Sequence, residues 1–187
     1  MSSEVRLFLL RCPECSSNLS GEKEGVFLYC GGCGAGFRLD ADQLIKVPVY
    51  FARLNPNSQS FQPFWAFDAT LEVRNMDANR GISSFFKDRR GLVQLFKERG
   101  TVRMYVPASA GELTADQPRA LRLTMDQPEL EYIGHMPQIS GFTVGLEDAE
   151  KVADFLLLTS EIQQPDMMRK LDYSLHLNNP MIVVIGS

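Results

Sequence analysis

Four cysteines, spaced as Cys12-Pro13-Glu14-Cys15 and Cys30-Gly31-Gly32-Cys33, constrain this chain more than any other feature. The pattern is C-x₂-C-x₁₄-C-x₂-C and it uses every cysteine in the sequence. Two tight turns of this kind, one loop apart, supply the four soft ligands of a tetrahedral site, and a structural Zn²⁺ is the expected occupant. A closed four-thiolate set leaves no position for water or substrate, so the metal is expected to hold the fold. Iron is the competing ion, because the same geometry accepts it, and electron transfer would then be the role. Two disulfides are the other arithmetic possibility. Against them, Val5 and Leu7 to Leu10 lie between Arg6 and Arg11, too short an apolar run for an export signal, so reduced thiolates and a cytoplasmic location are expected.

The remainder is ordinary globular material. Of 187 residues, 44% are apolar and 22% charged, enough to bury one good-sized domain beside a small appendage. No apolar run approaches the about 20 residues that cross a bilayer, so no membrane span is expected. The net charge of −4 is unevenly spread. Residues 80–103 hold seven basic and two acidic side chains, among them Arg89, Arg90, Lys97 and Arg103, whereas 104–187 hold five basic and twelve acidic. The basic segment is either a solvated helix face or a docking patch for an acidic or phosphate-bearing partner.

Alternation and helical spacing place the elements. Val5–Arg11, Val26–Cys30 and Gly34–Leu39 read as strands around the two turns, with glycines at 31, 32, 34 and 36 letting the backbone fold back toward the thiolates. Val26, Leu28 and Phe37 are the expected apolar backing. Ile45, Val47, Val49 and Phe51 alternate as one strand, Asn55–Pro63 is loop, and Phe64–Met76 is a long strand. Leu92, Leu95, Phe96 and Arg99 share a helical face that stops at Gly100, before a strand at Thr101–Val106. Helices are predicted at Thr114–Met125 and Leu146–Leu158, the latter with a Glu147–Lys151 pair, and short strands at Leu130–Gly134 and Phe142–Val144. The end reads as a hairpin, Leu171–Leu177 returning as Met181–Ile185 through Asn178-Asn179-Pro180.

With both cysteine turns and their flanking strands in place, residues 5–40 resemble the zinc-ribbon family. The resemblance implies a zinc-held interaction module of the kind found in transcription machinery, in ribosomal and replication proteins and as an adaptor in larger complexes. Pro63-Phe64-Trp65 and Tyr105-Val106-Pro107-Ala108 are similar to segments of uncharacterised prokaryotic proteins that couple a zinc ribbon to a β-rich domain, which implies no activity. The expected fold is a small zinc ribbon (1–43) followed by a β-rich α+β domain (44–187).

Catalytic patterns are wanting. His135 and His176 have no neighbouring ligand at helical or hairpin spacing, no cysteine is left as a nucleophile, and Gly31–Gly36 lacks the helix that a phosphate loop needs. The aromatic cluster of Phe61, Phe64, Trp65 and Phe67 is core or contact surface. Trp65, on the strand face opposite Phe64 and Ala66, is the anchor candidate unless a second layer covers it. Two functions follow as expectations. One is a non-enzymatic adaptor or accessory subunit docking onto a larger cytoplasmic protein assembly, with Trp65, Arg89, Arg90 and Lys97 as candidate partner contacts. The other is nucleic-acid association through the ribbon and residues 80–103, which a pI near 5.2 opposes. An enzyme whose pocket gathers residues distant in sequence stays open as a third reading.

Overall fold

The computed structural model describes residues 10–21, 26–40, 43–78, 91–109, 113–134, 139, 141–162 and 168–186. Within them the chain is a β-rich α+β fold built on two sheets. The small sheet joins β1 (Phe27–Tyr29), β2 (Gly36–Asp40) and β3 (Gln43–Val47) in that order, all antiparallel. The expected strand at Val5–Arg11 lies outside the described residues save for Leu10, whose carbonyl accepts the Leu19 N–H at 2.8 Å, and Arg11, which bridges to Asn18. Strand alternation sends Leu28 and its partner Phe37 to one face, where they bury with Cys12, Leu19 and Cys30. Phe27 and Tyr29 point the other way, into the main core. Val26, expected in the backing, is instead 38% exposed.

Pro48 divides what alternation suggested was one strand. Lacking an N–H, it cannot continue a ladder, and its carbonyl accepts the Ile182 N–H at 2.8 Å. Before it, β3 completes the small sheet. After it, β4 (Val49–Arg53) joins the large one. The small sheet therefore runs to Val47, past the boundary read at residue 43.

The large sheet has the order β6-β5-β8-β4-β7, with β5 (Phe61–Ala78), β6 (Thr101–Pro107), β7 (Glu131–Ile133) and β8 (Met168–Gly186). Only β4 and β8 run parallel. The expected C-terminal hairpin is a single strand. β5 is long enough to pair with both halves of β8, so the chain has no need to turn back at Asn178-Asn179-Pro180. Those residues form a β-bulge instead: Ala66 pairs with Met181 and Asp68 with Asn178, leaving two residues of β8 opposite Phe67. The bulge accommodates both the left-handed Asn179 (φ 51°) and the missing N–H of Pro180. Asn179 Nδ2 donates to Asp68 Oδ2 at 2.9 Å, and Asp68 also receives the Arg103 guanidinium at 2.8 and 2.9 Å. Three strands are thereby clasped at the irregularity.

Helices α1 (Leu92–Arg99) and α3 (Leu146–Ile162) pack against each other and on β6, with Leu92, Phe96, Ala153, Leu156 and Leu157 buried. The expected Glu147–Lys151 pair is replaced by Lys151 to Asp148 at 2.9 Å, one residue closer. Helix α2 (Leu113–Asp126) lies along β6 and closes its open edge. Gln127, just past the helix, accepts the Arg103 N–H at 2.9 Å and donates to the Arg103 carbonyl at 2.7 Å, while Thr124 Oγ1 accepts the Tyr105 N–H at 3.0 Å. Such cover removes a strand edge that would otherwise recruit other chains. Phe142–Val144, expected as a strand, is irregular, yet Phe142 and Val144 are buried.

Candidate metal centre

The two cysteine turns are built alike. In the first, the Cys12 N–H donates to Ser17 O and the Ser16 N–H to Cys12 O, both at 2.8 Å. In the second, the Cys30 N–H donates to Ala35 O and the Gly34 N–H to Cys30 O, also both at 2.8 Å. The residue after the second cysteine of each turn is left-handed, Ser16 at φ 61° and Gly34 at φ 77°. Gly34 meets this need without a Cβ, whereas Ser16 carries the steric cost. Bridges from Arg11 to Asn18 and from Ser20 to Tyr29 tie the first turn to the sheet that carries the second. The tip is further held by Lys46 of β3, which reaches Glu14 at 3.0 Å.

This arrangement brings all four sulfurs within 4.8 Å of one another. Cys12 Sγ lies 3.6 Å from Cys33 Sγ, and Cys15 Sγ 3.4 Å from Cys30 Sγ. Four sulfurs at about 2.3 Å from a tetrahedral ion would lie about 3.8 Å apart, so the donor set can hold a metal ion. These spacings exceed the about 2.05 Å of a disulfide bond, and the thiols are free. Cys12 and Cys30 are buried and Cys15 and Cys33 exposed, so each turn gives one inner and one outer ligand.

Crowding splits the thiol titrations. Hydrogen bonds from the Ser17 side chain and then its backbone bring Cys15 down to about 6, helped by Cys30. At Cys33 the Ala35 N–H favours the thiolate, but desolvation and the neighbouring sulfurs overcome it and push the group up to about 12. One thiol thus ionises readily and another is held back, because adjacent negative charges repel without a cation between them. A bound metal supplies that cation and favours the deprotonated ligand set.

Among the described residues the other expected contacts do not gather into a second site. Trp65 is 1% exposed and not a surface anchor. A second layer does cover it: Phe27 of the small sheet meets its ring edge-on at 6.4 Å, Phe67 stacks beside it, and its Nε1–H donates to Val144 O at 2.8 Å. Lys97 is exposed on α1. Arg89, Arg90 and His135 lie outside the described residues. Arg103, counted in the basic segment, is engaged by Asp68 in a two-point ion pair. His176 is exposed, as its place opposite the leucines required, with Nε2 4.0 Å from Glu72.

Two polar features, one buried and one half-buried, carry no local sequence signal. Glu161, 4% exposed at the end of α3, accepts the Val93 N–H at 2.9 Å and so caps α1 from a distant element. Arg119 of α2 lies over the Phe64 ring at 5.5 Å and bonds Gln62, with burial lowering its pKa against the opposing pull of Asp116. Among the described residues no helix is long and apolar enough to cross a membrane. No protein-family model, no curated protein and no solved structure matches this chain.

Proposed function

We propose that this chain is a non-enzymatic adaptor or accessory subunit that docks onto a larger protein assembly, with a structural Zn²⁺ held by Cys12, Cys15, Cys30 and Cys33 in a zinc-ribbon arrangement. The observation that carries the reading is the closed cluster of four thiols on two matching turns. Four thiolates fill a tetrahedral coordination sphere, so the ion has no vacancy for substrate, and zinc brings no redox chemistry. The sheet behind the cluster is further support. Its outer face buries two of the cysteines, and its inner face sends Phe27 and Tyr29 into the core. A metal there fixes the module against the body and suits a scaffold that presents surfaces to partners.

Affinity capture of the tagged chain from its own cells, with and without nuclease, tests the reading. Deleting residues 1–40 would strip Phe27 and Tyr29 from the core, so the informative comparison is Cys12→Ser with Cys30→Ser. The expected result is a discrete, nuclease-resistant set of proteins, together with about one zinc per wild-type chain and loss of both zinc and capture in the double variant. Partners lost on nuclease treatment would replace the adaptor by nucleic-acid association. A chain that came down alone would overturn both.

A further inference from the structure

The pairing of β8 changes along its length. Its C-terminal part, Ile182–Gly186, lies between β5 and β4, and β4 begins only opposite Ile182. From Leu171 to Pro180 the strand is paired with β5 on one side and, among the described residues, with no strand on the other. Along this open side runs a groove of about 560 Å³. Tyr173 and the consecutive residues Leu175–Asn178 of β8 form one wall, and Glu150 and Asp154 of α3 the other. Among the described residues none of β5 lines it, and the wall takes in neighbours of β8 that point to opposite faces, which places the cavity at the outer edge of β8. Asp154 accepts the Tyr173 hydroxyl at 2.6 Å, which ties helix to strand.

We infer that this groove takes an extended peptide segment of a protein partner, added as a further strand beside β8 and carrying basic side chains at alternate positions. An unpaired strand edge supplies main-chain donors and acceptors, and a helix beside it supplies side-chain selection. The charge of that helix selects basic residues. Glu150 and Asp154 face the groove, and the nearby cation Lys151 is occupied by Asp148 at 2.9 Å. Spacing selects the alternation. Residues four apart on a helix rise about 6 Å, and residues two apart on a strand about 6.7 Å, so the spacing of Glu150 and Asp154 is close to that of successive same-face side chains of an added strand. The inference deepens the adaptor reading and rests on it for the existence of a protein partner.

The test is a titration of the full, metal-loaded chain with a capped Lys-Val-Lys-Val-Lys-Val peptide, followed by amide chemical shifts. A Glu-Val repeat of the same length is the control, and Glu150→Lys the variant, since Glu150 is exposed. The Lys peptide should move the amides of Tyr173 to Asn178, the Glu peptide should leave them in place, and Glu150→Lys should weaken binding about fivefold or more. Unmoved amides at millimolar peptide, an equal response to both peptides, or an unchanged affinity in Glu150→Lys would each overturn the inference. So would sedimentation showing a concentration-dependent dimer that protects these amides, because the occupant would then be a second copy of the chain. Failure here leaves capture of an assembly intact, whereas failed capture with a positive titration removes the adaptor role alone.

Discussion

Gly91 shows how much a single hydrogen atom can decide. Its backbone is extended, at φ −83° and ψ 169°, so any residue could adopt the conformation. Its neighbour is what demands glycine: a Cβ there would lie 2.4 Å from Glu161 Oε1. Gly91 has no side chain to cap α1, and the carboxylate of Glu161 enters the space instead and accepts the Val93 N–H. A negative group at a helix N-terminus is favoured by both the free N–H groups and the helix dipole. Gly91→Ala should therefore displace the carboxylate and destabilise the fold by about 1–3 kcal/mol, measured by urea unfolding. Glu161→Ala removes the same cap. The double variant should lose clearly less than the sum of the two, because both substitutions act on one contact.

At the scale of elements, the register of β5 against β8 depends on the bulge at Asn179-Pro180. Asn tolerates the left-handed conformation better than a β-branched residue, and its side chain also bonds Asp68. Asn179→Val should cost about 1–3 kcal/mol in chemical unfolding, whereas Asn179→Gly should cost less, since it forfeits the hydrogen bond but not the backbone. Equal losses in the two variants would show that strain at φ 51° has no part in the effect. The other edge device is the α2 cover on β6. There Gln127 replaces a missing strand with two side-chain hydrogen bonds to Arg103. Together these features let one long strand pair continue through an irregularity while an adjacent edge stays protected.

For the whole molecule, the cysteine cluster and the main core are mechanically linked through one thin sheet. Leu28 and Phe37 bury against the cysteines, while Phe27 packs on Trp65 and on Phe142, the latter at 4.5 Å between ring centres. Trp65 is the only tryptophan, so it reports on this seam alone. Chelation of the metal should loosen the small sheet, because so limited an apolar backing needs the ion's binding energy to hold it. The expected outcome is a red shift and loss of intensity in tryptophan emission as metal is withdrawn, reversed by adding it back. Unchanged emission after complete metal removal would show that the sheet docks without the ion.

Features encoded over short stretches of chain were legible before the fold was known. The paired cysteines needed only the geometry of their own turns, the face of α1 and its stop at Gly100 only helical spacing, and the long β5 only alternation over neighbouring residues. The C-terminal strand was misread for the same reason: Asn-Asn-Pro has the local chemistry of a turn, and only a partner strand as long as β5 makes it a bulge. Trp65 likewise has the alternation of an outward residue, and only a second sheet from earlier in the chain buries it. The cap on Gly91's helix, the cover on β6 and the groove beside β8 join residues distant in sequence. Periodicity carries no information about such meetings. What the sequence determined by itself is the four-cysteine cluster and most of the elements; which faces are covered, and which edge is unpaired among the described residues, was decided by how those elements pack.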